Sequence, residues 1–277
     1  MTSNFIVWDI NPYIFHLPDF LGGRPIAWYG LLWATAFIVG YLIMKKVYKK
    51  ENLSDDKLDK LVSNMLIFTI IGARLGHCLF YEPSYYLSNP VEILKIWEGG
   101  LASHGGAIGI LIGLFIYARK INKPYLWILD RIVIPVAIGG ALIRTGNLMN
   151  SEIYGDTTSL PWGFKFVRDY PVGMPIENIP ACHPTQIYEA LFCIIAFIYL
   201  WYLYFKQDIA DKRPGFMFSI FLIIVFGSRI LIEFIKNPQV NFEKGMMFDM
   251  GQWLSFPFLI AGIWILTRSF RKQKSRS

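Results

Sequence analysis

Seven long apolar blocks leave this chain few ways to fold. They run over 27–47, 61–79, 101–118, 125–146, 187–205, 215–235 and 250–267, each with little charge. Crossing a hydrocarbon core of about 30 Å as a helix takes about 17–25 such residues. A backbone in lipid must satisfy its own hydrogen bonds, which a helix does internally. The expectation is an all-α, polytopic integral membrane protein with seven transmembrane helices in one domain, 1–277. Composition agrees, since 54% of the 277 residues are hydrophobic against about 45–50% in soluble domains.

The formal charge of +7 does not point to nucleic acid, because the cations alternate from loop to loop. One set of connections holds Lys45, Lys46, Lys49, Lys50, Lys57 and Lys60, then Arg119, Lys120 and Lys123, then Lys206, Lys212 and Arg213, and finally Arg268, Arg271, Lys272, Lys274 and Arg276. The other set holds only Arg24, Lys95, Lys165, Arg168, Lys236 and Lys244. The positive-inside rule makes the rich set cytoplasmic, the N-terminus periplasmic or extracellular, the C-terminus cytoplasmic and the number of crossings odd. No cationic segment precedes the first block, and lysines follow it directly, so it is expected to remain as a helix rather than be cleaved as a signal. Cys78, Cys182 and Cys193 have no CxxC spacing and suggest neither a disulfide framework nor a zinc site. Nothing suggests a metal or organic cofactor. No internal repeat appears, which weighs against many secondary transporters.

Two stretches do not look like spans. An external arm, 81–100, mixes Pro83, Pro90, Trp97 and three tyrosines, a composition suited to lying at the membrane interface. An external head, 147–186, separates the fourth and fifth helices and is rich in turn-forming residues.

Ionisable groups within spans cost from about 2.5–3.5 kcal/mol upward, so each needs a partner or a task. Here they are Arg74, His77, His104, Arg144, Arg229 and Glu233. The expected topology puts them all at the outer ends of their helices, with Tyr29 at the same level. Each alone has a plain explanation: snorkelling, pairing one turn away, or membership of an aromatic belt. Together they describe an anion site at the outer headgroup level, where phospholipid phosphate is the local anion. Arginine suits it because its planar fork stays charged and engages two oxygens at once. Gly72 and Gly76, like Gly105, Gly109 and Gly113, recur every four residues, the small-xxx-small pattern of close helix approach. Gly105 and Gly106 also follow His104 at a helix N-terminus, where free N–H groups attract anions.

These residues stand in DINPYIF (9–15), IAWYGLLW (26–33), GARLGHCLFY (72–81), WEGGLASHGGAIG (97–109), IRTGNLMNSEIYG (143–155), HPTQIYE (183–189) and SRILIEFIKNP (228–238). In this order and spacing the chain resembles the bacterial phosphatidylglycerol–prolipoprotein diacylglyceryl transferase family over nearly its whole length. The resemblance implies a multi-pass protein of the bacterial cytoplasmic membrane, active toward the outer leaflet. It implies that the lipobox cysteine of a prolipoprotein attacks phosphatidylglycerol, forming a thioether and releasing glycerol phosphate. His104, Arg144 and Arg229 match the family's catalytic residues. Tyr29, Asn147, Glu152 and Gly155 match residues lining or shaping the lipid site, and Arg74 and Gly105 lie in matched motifs. Glu233 is expected to orient Arg229, Glu189 to balance one arginine, and His183 to be structural. Lys236 stands where the family usually has arginine, so its charge survives but its fork does not.

Two other classes compete. A carrier of an anionic lipid or metabolite should hold ionisable groups along a path through midplane, whereas the inner halves hold little beyond Asp130 and Arg131. A hydrolase should show a GxSxG elbow, an HExxH motif or a P-loop, and none is present.

Overall fold

A computed structural model describes residues 5–237 and 246–274. Pro238, Lys244 and Arg276 lie outside the described residues. Nine helices are found among them: α1 Trp28–Lys50, α2 Asp55–Phe80, α3 Pro83–Ser88, α4 Ser103–Lys120, α5 Tyr125–Met149, α6 Thr185–Phe205, α7 Ile209–Lys212, α8 Phe216–Glu233 and α9 Met250–Lys274. Six of them, α1, α2, α5, α6, α8 and α9, are long and apolar enough to cross a membrane. The third apolar block is also a helix, α4, of 18 residues, or about 27 Å at about 1.5 Å per residue. Ser103 and His104 at one end and Arg119 and Lys120 at the other leave it a shorter apolar interior than the rest.

Large apolar side chains stay exposed along these helices, among them Phe37, Ile38 and Leu42 on α1, Ile67 and Ile71 on α2, and Ile260, Ile263 and Trp264 on α9. Exposed apolar surface on this scale marks a face meant for another apolar phase, and on helices of this length that phase is lipid. The chain is a multi-pass membrane protein.

The contacts divide the chain into two units, 44–131 and 1–43 with 132–277, the divisions falling inside α1 and α5. In the first unit α2 lies along α4, and the glycine spacing explains the approach. A Cβ added at Gly76 would come 2.8 Å from the Gly105 Cα, and one at Gly72 would meet the Gly105 carbonyl oxygen. Added at Gly113, it would stand 2.9 Å from the Phe68 Cβ. The same unit closes around Tyr48 and Tyr117, whose hydroxyls lie 2.8 Å apart while the Tyr117 hydroxyl donates to the Lys57 carbonyl.

In the second unit α8 packs against α6 and α9. The fold here is not purely helical. Strand β1 (Ile6–Trp8) pairs in parallel with β4 (Phe164–Phe166), and β2 (Tyr13–His16) pairs antiparallel with β3 (Pro25–Ala27). Strands of three or four residues carry too little periodicity to stand out in a sequence. They anchor the N-terminal segment on the head, where Leu148, Phe164, Phe166 and Cys182 form a small core with Trp8, Tyr154 and Ile187 around it. The Trp8 indole N–H donates to the Leu148 carbonyl at the end of α5.

Candidate active site

The second unit brings most of the expected site residues together. Arg144 and Asn147 are three apart on the last turns of α5, a spacing that sets them on one face. Arg144 Nη1 donates to Asn147 Oδ1 at 3.3 Å, and Asn147 Nδ2 donates to Glu152 Oε1 at 2.8 Å. Asn150 Nδ2 also donates to Glu152 Oε1, at 3.2 Å, and Gln186 Nε2 donates to the Glu152 carbonyl at 2.6 Å. This turn is held in an uncommon conformation, with φ of 55° at Ser151 and 62° at Ile153. A β-branched residue in the left-handed region is a backbone outlier that persists only when its surroundings over-determine it. Here Thr185 Oγ1 donates to the Ile153 carbonyl, while Glu152 N–H donates to the Asn147 carbonyl.

On the other side of Arg144 stands Glu189, in the first turns of α6. Arg144 Nε lies 2.6 Å from Glu189 Oε2, and Lys236 Nζ lies 3.3 Å from Glu189 Oε1. Lys236 Nζ is also 3.5 Å from Glu233 Oε2. Arg144, Glu189, Lys236 and Glu233 thus form a chain of alternating charge, with Glu189, Lys236 and Glu233 all buried. Among the described residues no ion pair or hydrogen bond joins Glu233 to Arg229. Just past α8 the backbone turns at Phe234, which carries Lys236 back toward Glu233. Lys236 is therefore enclosed between two carboxylates. Among the described residues the buried Arg229 Nε has no hydrogen-bond partner.

Glycines shape the site. Gly155 bridges antiparallel to Lys236. A Cβ there would stand 2.8 Å from Thr185 Cγ2 and 2.9 Å from His183 Cβ, and would meet the Ile235 carbonyl oxygen. Three segments converge on Gly155, and only glycine admits all of them. Likewise a Cβ at Gly146 would lie 2.7 Å from Tyr29 Cδ2, so the Tyr29 ring rests on α5 two residues past Arg144. Gly251 on α9 faces the Glu233 carboxylate in the same way. No spacing or periodicity in the chain singles out Gly146, Gly251 or Asn150.

The other unit carries the remaining candidates. His104 is the second residue of α4 and is exposed. Gly105 is at the closest approach of α4 to α2. Arg74 is 3% exposed and largely consumed: Nε donates to the Ile93 carbonyl, Nη2 to that of Glu92, and Nη1 to those of Gly99 and Gly100. Its guanidinium also lies 5.0 Å from the centre of the Tyr86 ring. Arg74 is a tie for the 81–100 arm. His77 stacks on Tyr81 and has Nε2 3.9 Å from Glu82 Oε1.

Burial pushes the Cys182 thiol in the head up to about 11, with Asp156 and Asp169 adding to the effect, which makes it a poor nucleophile. Among the described residues no group of three His, Cys, Asp or Glu side chains is placed to hold a metal ion.

Together these features define a multi-pass membrane protein that gathers Arg144, Asn147, Glu152, Glu189, Lys236 and Glu233 into one polar cluster. Residues 12–268 match the family model for prolipoprotein diacylglyceryl transferase. The chain is 46% identical to a phosphatidylglycerol–prolipoprotein diacylglyceryl transferase of Porphyromonas gingivalis, covering 96% of this chain and 95% of that one. Its likeness to the Tolumonas auensis protein of the same name is 43%, over 98% and 100% of the two chains. For that of Cereibacter sphaeroides the identity is 32%, over 95% and 97%. The chain belongs to the prolipoprotein diacylglyceryl transferase family.

Proposed function

We propose that this chain transfers the diacylglyceryl group of phosphatidylglycerol to the lipobox cysteine of prolipoproteins, the first step of lipoprotein maturation. The transferase activity and both substrates follow the names of its relatives. The observation that carries the reading onto this chain is the donor inventory of its arginines. Arg144 is fixed from its Nε side while its Nη2 makes no hydrogen bond among the described residues, and the buried Arg229 Nε is likewise unpaired. A buried donor without an acceptor, such as Arg229 Nε, is costly, and a phosphodiester supplies acceptors to it and to the open edge of Arg144.

In the reaction the cysteine sulfur attacks the glycerol carbon that bears the phosphate. The C–S bond forms as the C–O bond breaks, and the electron pair leaves with the phosphate oxygen as glycerol phosphate. A thiol of pKa about 8.5 is mostly protonated at neutral pH, so a base is needed. His104 takes this role, an imidazole nitrogen being able to accept the thiol proton. Arg144 and Arg229 stabilise the charge that develops on the leaving phosphate where water is scarce. Asn147 and Glu152 hold Arg144 and the turn that follows it. Tyr29 lines the lipid site, Gly155 and Glu233 shape its wall, and Arg74 and Gly105 belong to motifs that the family shares.

In our reading α4 is the seventh span, with Arg119 and Lys120 snorkelling to the headgroups. The N-terminus and the site lie on the outer side of the bacterial cytoplasmic membrane and the C-terminus on the inner side. The 147–186 head lies outside, and the arm lies on the outer interface, a placement supported by its exposed Leu87, Val91, Leu94 and Trp97.

The test is incubation of the purified protein with phosphatidylglycerol and a lipobox peptide. A diacylglyceryl thioether on the peptide cysteine is expected, and none when that cysteine is serine. Release of free diacylglycerol alone, or lipid movement without consumption, would overturn the reading.

A further inference from the structure

Glu189 has a place in this network that balancing one arginine does not describe. Its carboxylate is 6% exposed and divides its two oxygens between two cations, Arg144 Nε on Oε2 and Lys236 Nζ on Oε1. The two contacts differ in kind. Lys236 donates a hydrogen bond to Oε1, whereas Oε2, though 2.6 Å from Arg144 Nε, lies off the hydrogen-bonding axis and counts as a buried acceptor without a hydrogen bond. Lys236 has a second carboxylate in Glu233; among the described residues Arg144 has only the amide oxygen of Asn147 besides Glu189. The Glu189–Arg144 contact is thus the link in the chain of charges that an incoming anion can loosen without stranding Lys236.

The reaction creates a need for such a link. A phosphodiester lipid carries one negative charge, but the released phosphate monoester carries about −1.5 to −2 at neutral pH. Arginines that stabilise the leaving phosphate therefore bind the product more tightly than the substrate, unless something opposes the extra charge. We propose that Glu189 is a positioning residue that performs this opposition. It holds Arg144 by the Nε side so that the Nη edge faces the lipid phosphate, and its own charge repels the dianionic product and reclaims Arg144 as the product leaves. The inference rests on the transferase reading above and adds to it a determinant of product release.

The experiment compares wild-type protein with E189Q, which keeps the shape and removes the charge. It measures kcat and KM for phosphatidylglycerol and the inhibition constant of glycerol phosphate. E189Q is expected to lower KM and to tighten glycerol phosphate inhibition about tenfold, the order of a single close charge interaction in a partly screened site. It also lowers kcat and produces a burst of thioether in the first turnover, because release has become slow. A loss of kcat with KM and inhibition constant unchanged would show a merely structural carboxylate and overturn the proposal. E189Q/K236Q removes one charge of each sign and so restores the net charge of the cluster; it is expected to fold and to return glycerol phosphate inhibition toward the wild-type value. Inhibition in that variant as tight as in E189Q, or failure of both variants to fold, also counts against the proposal, which requires the fold to tolerate loss of the charge. If wild-type protein forms no thioether, the transferase reading itself fails; if it does and glycerol phosphate inhibition is unmoved in E189Q, only the role of Glu189 fails.

Discussion

Two arginines on the same helix, α5, have opposite fates. Arg131, in its second turn, is fully buried. Its Nε and Nη2 both reach Glu51 Oε1, at 2.7 and 2.6 Å, its Nη1 donates to the Trp127 carbonyl at 3.1 Å, and its guanidinium lies 4.2 Å from the centre of the Trp127 ring. Arg144, near the other end, is 22% exposed in its side chain, meets Glu189 at one nitrogen, and leaves its Nη2 without a hydrogen bond among the described residues. One guanidinium is closed by its own protein and the other is open. Burial and charge alone do not separate a structural arginine from a functional one; the count of satisfied donors does. By the same count Arg74, clamped by four backbone carbonyls, belongs with Arg131, and Arg229, with its unpaired Nε, belongs with Arg144.

The contrast can be broken first at its closed end. Arg131→Ala strands Glu51 without its guanidinium, and loss of one partner of a buried pair costs about 3–5 kcal/mol. Thermal unfolding in detergent should show a larger drop than for any of the substitutions that follow, while the protein that remains folded keeps its turnover. At the open end, Arg229→Ala should lower transfer by about 10²–10³, the usual effect of removing one donor from a site of developing charge. Its melting temperature should stay near that of wild type, and an activity loss that merely tracks a fallen melting temperature would undo the distinction. Gly146→Ala should fall between the two behaviours. The added methyl displaces Tyr29, so turnover is expected to fall by about tenfold, with about 1–3 kcal/mol of lost stability from overpacking.

The smallest expected effect concerns pH. The Cys182 thiol is raised from 9.0 to about 11 in the folded protein. The folded state holds its proton more tightly, so the stability from the buried neutral thiol is fully present below pH 9 and is lost as pH rises through about 11. Melting temperature measured from pH 8 to 11 should fall slightly more steeply for wild type than for Cys182→Ala. Parallel curves would show that this thiol is not protected by the fold.

What the sequence made plain and what it hid divide along physical lines. Long apolar blocks and four-residue glycine spacing are local periodicities; the helices follow from the first and close helix approach from the second, while the structure shows that α2 and α4 are the partners. Arg144 stands out as an ionisable group within a span, and Asn147 and Glu152 only through the family resemblance; their hydrogen bonds to one another are not encoded in any periodicity. The partnership of Glu189 with Arg144 and Lys236 spans 45 and 47 residues, and no periodicity encodes it. The pairing of Glu233 with Lys236 rather than Arg229 depends on how the backbone turns after α8, and both partners are at helical spacing from Glu233. The parallel pairing of β1 with β4 joins two three-residue segments far apart in the chain, too short to show an alternating pattern. Arg74 was hidden in another way: its residue type and depth fit an anion site, and only the carbonyls around it reveal a structural tie.

In the function proposed above, open arginines carry the chemistry and closed ones carry the fold. The decisive experiment replaces Arg144 and Arg131 separately with lysine, which keeps the charge and removes the fork, and measures thioether formation and melting temperature on the same preparations. Arg144→Lys should lose most transfer with its melting temperature nearly unchanged, and Arg131→Lys should melt lower with turnover per folded molecule intact. Retained transfer in Arg144→Lys beside a selective loss of transfer in Arg131→Lys would reverse the assignment of the two arginines.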